Sequence, residues 1–529
     1  MQLDFLAARP GDRRLAALVD GLAGPDVVVV VGPVPAMPAA ELAELRHRIE
    51  SGTTLLALAP DATEGFWSDL LGVRALDAVP AGEYFGRVVA EASDLGTRLD
   101  DEFPFVGSFR PLVTTGPATR TLLVASIGFR DHPVVTETRC GAGRVLVSAV
   151  DPTSAPSVRT LVRRALSSGG AAPPKPVGIA VVGYGPFGGM GYAHGLAIAA
   201  TAGLELTAVV DPSIDRRKAA EADFPGLTSY ASIEQLVGDD DVDLAIVATP
   251  PSAHFDLTRR LLRAGKHVAC EKPLCLTAAQ ADELIATAAS VDRVLTVHQN
   301  RRWDADFLAV RRAVDAGLLG DLFNVETFVG GFDHPCRAWH SDVEVSGGAV
   351  YDWGSHHVDW ILQLMGPTPP ARVTTFGHKR VWHDVTNLDQ LRLHLSWDDG
   401  REAEFFQSDV AGVRRPKFYV QGTSGTLAGH YRELTFERLE PGRGYVADVA
   451  HHAEAPADLV LARYESGYGL TETRLPVAPE QRFAFHRNLA DHLLLGEPLA
   501  VTAASVRTVV AVLEASQASS DDGGLVIDL

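Results

Sequence analysis

Cysteine is scarce in this chain, with four among 529 residues, at positions 140, 270, 275 and 336, and no Cys-x-x-Cys pair. That scarcity argues against a disulfide framework or a cysteine-built metal site, and leaves a reduced, packed role as the expectation for each thiol. Long apolar runs are missing too. No stretch approaches the roughly 18 residues that a membrane-spanning helix needs. The opening, Met1-Gln-Leu-Asp-Phe-Leu-Ala-Ala-Arg-Pro10, has neither the basic start nor the sustained apolar run of a secretion signal. A cytoplasmic location with no membrane partner is the expectation. Positive charge is in deficit, 47 Lys and Arg against 67 Asp and Glu for a formal charge of -20, which disfavours nucleic acid and anionic lipid as partners.

What is present is the content of a globular chain, 46% hydrophobic and 22% charged, over a length beyond the roughly 250–300 residues at which single cores stop growing. Several domains are therefore expected. Residues 1–170 alternate strand-like and helix-like pieces: Asp26-Val-Val-Val-Val-Val31, an amphipathic stretch from Ala39 to Glu50, then Thr53-Thr-Leu-Leu-Ala-Leu-Ala59. Such alternation predicts a parallel α/β layer. Thr121 to Ser126 and His132 to Ser148 read as strands, with Gly141-Ala-Gly143 as a hairpin. Residues 171–176 close a Pro- and Gly-rich segment that reads as a linker.

From 177 to 298 five β-like runs alternate with helical patterns: Ile179 to Gly183, Leu204 to Asp211, Leu244 to Thr249, His267 to Ala269 and Val294 to Val297. They predict a doubly wound parallel sheet of the Rossmann kind. Over 299–529 a long helix around Asp352 is followed by strand-like Asp389 to Trp397, Glu402 to Gln407 and Lys417 to Gln421. This predicts an α+β domain with an open, mainly antiparallel sheet.

Gly183-Tyr-Gly185-Pro-Phe-Gly188 follows the first of the five runs and precedes a helix-like stretch from Tyr192 to Ala202. Glycines let a backbone approach a pyrophosphate, and the helix start favours its charge. Gly188-Gly-Met-Gly191 offers a second such turn. Asp211, 20 residues beyond Gly191, suits a ribose 2′-hydroxyl and would repel a 2′-phosphate. NAD is therefore the expected cofactor, with NADP open if Ser213, Arg216 or Arg217 turns inward.

In Ser346 to Asp359, taking about 100° per residue puts Asp352, His356, Asp359 and Gln363 on one stripe of a helix. Val350, Trp353, His357, Trp360, Ile361 and Leu364 fall on another, mostly apolar one. Read with Glu271-Lys272-Pro273, the polar stripe suggests hydride transfer at a hydroxyl carbon. His356 would take the proton, since imidazole titrates near neutrality. Asp352 would orient His356, and Lys272 would stabilise the developing alkoxide. Asp359 would touch a hydroxyl or support the others. Gly354, costly inside a helix, suggests close approach of a ring or substrate. Asn300, Arg301, Arg302, Trp303, Trp339, His340 and His357 mix aromatic faces and donors as a carbohydrate or cyclitol site would; Arg302, Trp303 and His340 join Asp352, His356 and Asp359 as the substrate candidates. His334, Cys336, His340 and His356 match no closed zinc spacing, so no metal is expected.

Five motifs in order resemble the Gfo/Idh/MocA family (glucose-fructose oxidoreductase, inositol dehydrogenase, MocA) from about Val177 to the C-terminus. They are the Gly183 loop, Ala248-Thr-Pro-Pro-Ser-Ala-His254, Gly265-Lys-His-Val-Ala-Cys-Glu271-Lys272-Pro273, Asn300-Arg-Arg-Trp-Asp304 and Gly347-Gly-x-x-x-Asp352-x-Gly-x-His356-x-x-Asp359. The resemblance implies a Rossmann domain and a C-terminal domain whose sheet serves as an oligomer interface, hence a homodimer or tetramer. It implies Thr249, Pro250, His254, Glu271, Lys272 and Asn300 beside the cofactor, a cis Lys272-Pro273 bond, and Lys272, His356 and Asp352 near the reacting carbinol.

Residues 1–170 resemble instead a ThuA-type domain, related in fold to the flavodoxin-like class I glutamine amidotransferases, through His132-Pro-Val-Val to Asp151. The elbow such an amidotransferase needs, at Leu58-Ala-Pro-Asp-Ala-Thr-Glu64, has no cysteine, so scaffolding rather than glutaminase chemistry is implied. Three functions stay open: an NAD(P)-dependent oxidoreductase of a sugar, inositol or related polyol; a redox-assisted glycosidase or lyase; and a nucleotide-binding sensor or scaffold without catalysis.

Overall fold

The computed structural model describes residues 3–5, 26–89, 102–127, 130–152, 156–167, 175–186, 189–201, 203–336, 338–440, 444–451, 455–478 and 481–529. Gly188 and most of the expected linker, residues 171–174, lie outside them. The chain divides into two compact units, one of Met1–Lys175 with Thr201–Gly203 and Arg487–Pro498, the other holding the remainder.

The first unit is built on an eight-stranded sheet. Leu3–Phe5, Val27–Val31, Thr54–Leu58 and Gly143–Ser148 run parallel, and Arg130–Cys140, Thr119–Ile127, Gly82–Val88 and Glu102–Gly107 continue the sheet antiparallel. Val27 to Val30 and Leu55 to Leu58 are buried, which is why these segments read as unbroken apolar runs rather than alternating ones. The helix Ala39–Glu50 turns Leu45 and Ile49 inward. The expected parallel layer is thus only half of a mixed sheet. Residues 119–148 form three consecutive strands whose connections are too short for the crossover that parallel pairing requires. The expected hairpin is there, Cys140 pairing with Gly143. Buried ion pairs join Arg163 to Glu497 at 2.5 Å and Arg164 to Asp491 at 2.8 Å, tying the 487–498 segment into this unit.

The second unit carries two large sheets. Six parallel strands lie in the order Thr228–Tyr230, Leu204–Val210, Val177–Val182, Leu244–Val247, His267–Cys270 and Leu295–Val297. This is the doubly wound arrangement, with its reversal of strand order at Val177–Val182, where a crevice opens beyond the strand ends. The edge strand Thr228–Tyr230 was not anticipated, having three residues and no apolar run.

A nine-stranded sheet follows, in the order Gly469–Leu475, Asp458–Glu465, Gly425–His430, Phe418–Gly422, Leu322–Gly330, Glu402–Ser408, Gln390–Ser396, Arg372–His378 and Ile527–Asp528. All its pairings are antiparallel except that of Leu322–Gly330 with Glu402–Ser408. The helices Ala349–Met365 and Ala503–Asp521 pack on it and on each other. Among the described residues no helix is long and apolar enough to cross a membrane.

Candidate functional site

A cavity of about 780 Å³ opens at the ends of the parallel strands. Gly183, Gly185, Gly191 and Asp211 line one end, Lys272, Asn300, Arg301, His340, Asp352, Trp353 and His356 the other. The glycines serve different ends. Gly183 has φ +103°, and a Cβ there would lie 2.7 Å from the Ala248 carbonyl oxygen; at Gly191 it would lie 2.6 Å from the Gly183 oxygen. Those two let backbone meet backbone. A Cβ at Gly185 meets nothing within 4 Å, so the open space there is what its absence leaves for a ligand. The helix Met190–Ala199 begins beside this loop and aims its first free N–H groups there.

Asp211 closes the second strand. Its Oδ2 accepts from the Tyr184 amide and its Oδ1 from the Ser213 amide, each at 2.9 Å. A carboxylate has further lone pairs, so both oxygens can still accept from a ribose diol. Arg217 donates to the carbonyls of Asp211 and Pro212 at 2.7 and 3.1 Å. Arg216 is not among the described residues that line the cavity. The Thr249 hydroxyl is buried without a protein partner and lines the cavity with Pro250. An open glycine, a helix start, a diol acceptor and an unpaired buried hydroxyl together fit a dinucleotide.

At the other end the Lys272-Pro273 bond is cis. Lys272 Nζ lies 2.7 Å from Asp352 Oδ1 and 3.3 Å from the Asp352 carbonyl oxygen. Burial works against a charged Asp352, yet the Lys272 ammonium overcomes it and holds the carboxyl below its ordinary range. Asp352 is expected to orient His356, but among the described hydrogen bonds its carboxylate meets Lys272 and the His356 Nδ1 meets Gln299. Gln299 takes that role. Its amide nitrogen donates to the Ser355 carbonyl at 3.1 Å, which turns Oε1 toward His356 Nδ1 at 3.2 Å. Nδ1 must then be the donor, leaving Nε2 as an acceptor. Burial, with the charges of Lys272 and Arg301, pushes His356 well below the usual imidazole value. His340 stacks on Trp339 with ring centres 3.7 Å apart, and its Nδ1 is buried without a hydrogen-bond partner.

Behind this wall stands a buried polar cluster. Glu271 Oε1 lies 2.9 Å from His194 Nε2 and 2.8 Å from His298 Nδ1, and His194 Nδ1 lies 2.9 Å from His486 Nε2. Burial would raise the Glu271 pKa, but the two facing imidazoles hold it well below normal. Its Oε2 accepts from the Lys272 amide at 3.1 Å. The three histidines have ligand atoms within 4.8 Å of one another, a spacing that could hold a metal. Four of their ring nitrogens are engaged in the bonds to Glu271 and to each other.

Several expected contacts are not brought to the cavity. His254 is fully buried, its ring nitrogens 2.7 Å from the carbonyl oxygens of Pro273 and Thr249; it pins two cavity-wall segments from behind. Arg302 and Asp359 bind each other through two parallel bonds of 2.8 and 2.6 Å. Both are buried, with Arg302 also donating to the Ala500 carbonyl at 2.6 Å. This pair has consumed the groups a substrate would have used. Trp303 lies 6.4 Å from Phe485 and is not among the described lining residues. His334 bonds Asp384 at 2.9 Å instead of joining His340 and His356. A Cβ at Gly354 would meet Val350, Phe405 and Leu513 at 3.1 to 3.3 Å, so that glycine serves helix packing and not ligand approach. Conversely, Trp353 lines the cavity with Arg301 stacked at 4.9 Å, although its apolar stripe suggested core.

Residues 177–299 match the model of an oxidoreductase family with an NAD-binding Rossmann fold, and residues 307–428 match the GFO/IDH/MocA C-terminal domain. The uncharacterized oxidoreductase YdgJ of Escherichia coli K12 is 31% identical over 310 residues, covering 58% of this chain and 87% of YdgJ. The scyllo-inositol 2-dehydrogenase (NADP(+)) IolW of Bacillus subtilis is 26% identical over 310 residues, covering 58% of this chain and 85% of IolW. The crystal structure of an NAD-binding protein from Listeria innocua superimposes with a TM-score of 0.57 at 26% identity, covering 67% of this chain and 97% of that one. With the fingerprint loop at one end of the cavity and the lysine, aspartate and histidine at the other, these matches show that the chain belongs to the Gfo/Idh/MocA family of NAD-binding oxidoreductases.

Proposed function

We propose that this protein oxidises or reduces a secondary alcohol carbon of a sugar, inositol or related polyol, with Lys272 and His356 as the catalytic residues and Asp352 positioning the lysine. The observation that carries the reading is their presence in one wall of the cavity into which the glycine loop also opens. When bound, NAD supplies the nicotinamide carbon that exchanges hydride with the substrate.

The protein's own part is to bind, to orient and to move a proton. Neutral His356 takes the hydroxyl proton at Nε2 in the oxidative direction and returns it in the reductive one. The imidazolium so formed would sit near Lys272 and Arg301, whose charges favour giving the proton back. The Lys272 ammonium, its direction set by Asp352, stabilises negative charge on the same oxygen. Trp353 and Trp339 offer flat faces to a ring, and His340 offers an unpaired nitrogen to a hydroxyl. Residues 1–170 supply no catalytic group in this reading and act as a scaffold.

NAD is the better fit than NADP, since Asp211 faces the diol position and Arg217 is bound to backbone. The NADP(+) in the name of IolW makes NADP the second possibility. Absorbance of reduced cofactor, followed with each nucleotide against a panel of inositols and monosaccharides and their keto forms, tests both points. Turnover with NAD exceeding that with NADP is expected, together with relaxation of the preference in Asp211→Ser. Tight nucleotide binding without turnover of any panel member would sink the reading.

A further inference from the structure

Beyond Trp353, on the sheet side of the catalytic wall, lies a chamber of about 180 Å³ bounded by Gly330, Gly331, Gln407, Asp409 and Arg414. Trp353 is a wall of both spaces. Gln407 is 8% exposed, and its Oε1 is buried with no hydrogen-bond partner. An amide oxygen left so is unusual in a folded interior and calls for a donor from a ligand or water. Asp409 stands beside it with its carboxyl pushed up to about 7, by burial first and then by the carboxylates of Asp352 and Asp389, with Lys379 opposing. Near neutrality such a group both donates and accepts. Arg414 donates from Nε to the Gly330 carbonyl at 2.9 Å. A Cβ at Gly331 would lie 2.8 Å from Arg414 Nη2 and 2.8 Å from Asp333 Oδ2, so a larger residue there would displace those side-chain ends.

We infer that this chamber is a second sugar subsite, taking the neighbouring ring of a glycoside whose reacting ring occupies the catalytic cavity. A pyranose has a rim of hydroxyls and a face of C–H groups. An orphaned acceptor, an ambivalent carboxyl, a guanidinium and an indole face match that pattern, with few but convergent polar groups. The alternative is a water-filled crevice, in which Gln407 and Asp409 contribute nothing to substrate choice. This inference rests on the polyol reading of the catalytic cavity, and the experiment separates the two.

The test compares kcat/KM, with NAD, for myo-inositol against galactinol and for glucose against cellobiose, in the wild type, Gln407→Met and Asp409→Asn. The glycoside is expected to exceed its parent in at least one pair, and the ratio to fall about tenfold in each variant, as loss of one buried hydrogen bond implies. The ratio does not depend on the fraction of active enzyme, so partial misfolding of a variant leaves it unaffected. Turnover of parents with no advantage for either glycoside, or a ratio unmoved by both substitutions, overturns the subsite alone. No turnover of any parent or glycoside by enzyme that binds NAD overturns the polyol reading and the subsite with it.

Discussion

Gln299 holds His356 by the nitrogen that faces away from the cavity. The Gln299 amide is locked by the Ser355 carbonyl at 3.1 Å, so its oxygen can only receive the His356 Nδ1–H at 3.2 Å. One backbone carbonyl thereby selects the tautomer of an imidazole through an intervening amide, and the lone pair of Nε2 is left as an acceptor.

Replacing Gln299 by leucine removes this acceptor while keeping much of the side-chain volume. The ring can then adopt the other tautomer, whose protonated Nε2 cannot accept. The expected result is a fall in kcat of about two to four orders of magnitude, the range for a general base disabled by the wrong tautomer, with KM changed little and a displaced pH profile. A Gln299→Leu enzyme with wild-type kcat and profile would show that the amide does not set the tautomer.

The Lys272–Asp352 contact of 2.7 Å predicts strong coupling between the two substitutions. Lys272→Met should lower kcat by about 100-fold or more, as loss of a charge stabiliser does. Asp352→Asn should cost less, because the lysine stays charged but is less firmly directed. The double variant should be no slower than Lys272→Met, since the aspartate acts through the lysine. Rates that multiply, measured in a double-mutant cycle, would mean that Asp352 acts on substrate independently.

How much of this could be read in the sequence depended on what each signal measures. The glycine loop and the strand runs were legible because steric freedom and burial leave local traces, and the long helix appeared where its periodicity placed it. Helical projection sorts residues by direction but does not say what lies in each direction. The helix Ala349–Met365 is covered on nearly every side, so its polar stripe divides between a cavity at Asp352 and His356 and a buried ion pair at Asp359, and its apolar stripe surfaces in the cavity at Trp353. Partners far apart in the chain left no trace: nothing local pairs Arg302 with Asp359, 57 positions on. Gln299 went unremarked beside Asn300 because an amide carries no motif of its own. In the first unit alternation gave the parallel strands Val27–Val31 and Thr54–Leu58 and the glycine turn gave the hairpin at Cys140 and Gly143, but the further antiparallel strands on that side left no comparable signal.

The Arg302–Asp359 pair separates a structural from a substrate-binding role. Its side chains are 6% and 3% exposed, and truncating one partner of a buried pair strands the other charge at a cost of about 3–5 kcal/mol. Arg302→Met should therefore lower the melting temperature markedly, while the folded fraction keeps the wild-type KM. A raised KM with an unchanged melting temperature would return Arg302 to the substrate site.

Acid should act on the fold through its buried histidines before it reaches the carboxylates held low, Glu271 and Asp352. His356 and His357 are 5% and 1% exposed. Burial holds both well below the ordinary value, helped by Lys272 and Arg301 for His356 and by Lys417 and Arg301 for His357. Unfolded, each takes up a proton as the pH falls through about 6.5; folded, each resists. Stability therefore rises with pH through the window below about 6.5 and is complete above it. Glu271 and Asp352, held below their usual range, surrender their contribution only at lower pH. The histidine contribution should accordingly be level from about pH 8 to 7 and fall between about pH 6.5 and 5, while Asp409 and Asp304, raised by burial to about 7 and about 6, work in the opposite sense over that range. His357→Phe isolates one of them. Its ring packs against Phe405 and Trp360 at 4.8 Å each, and its Nδ1 has no hydrogen-bond partner, so phenylalanine keeps the contacts and removes only the titration. The variant should show a shallower acid slope with undiminished stability at neutral pH; an unchanged slope would mean that His357 takes up its proton in the folded state as readily as in the unfolded one.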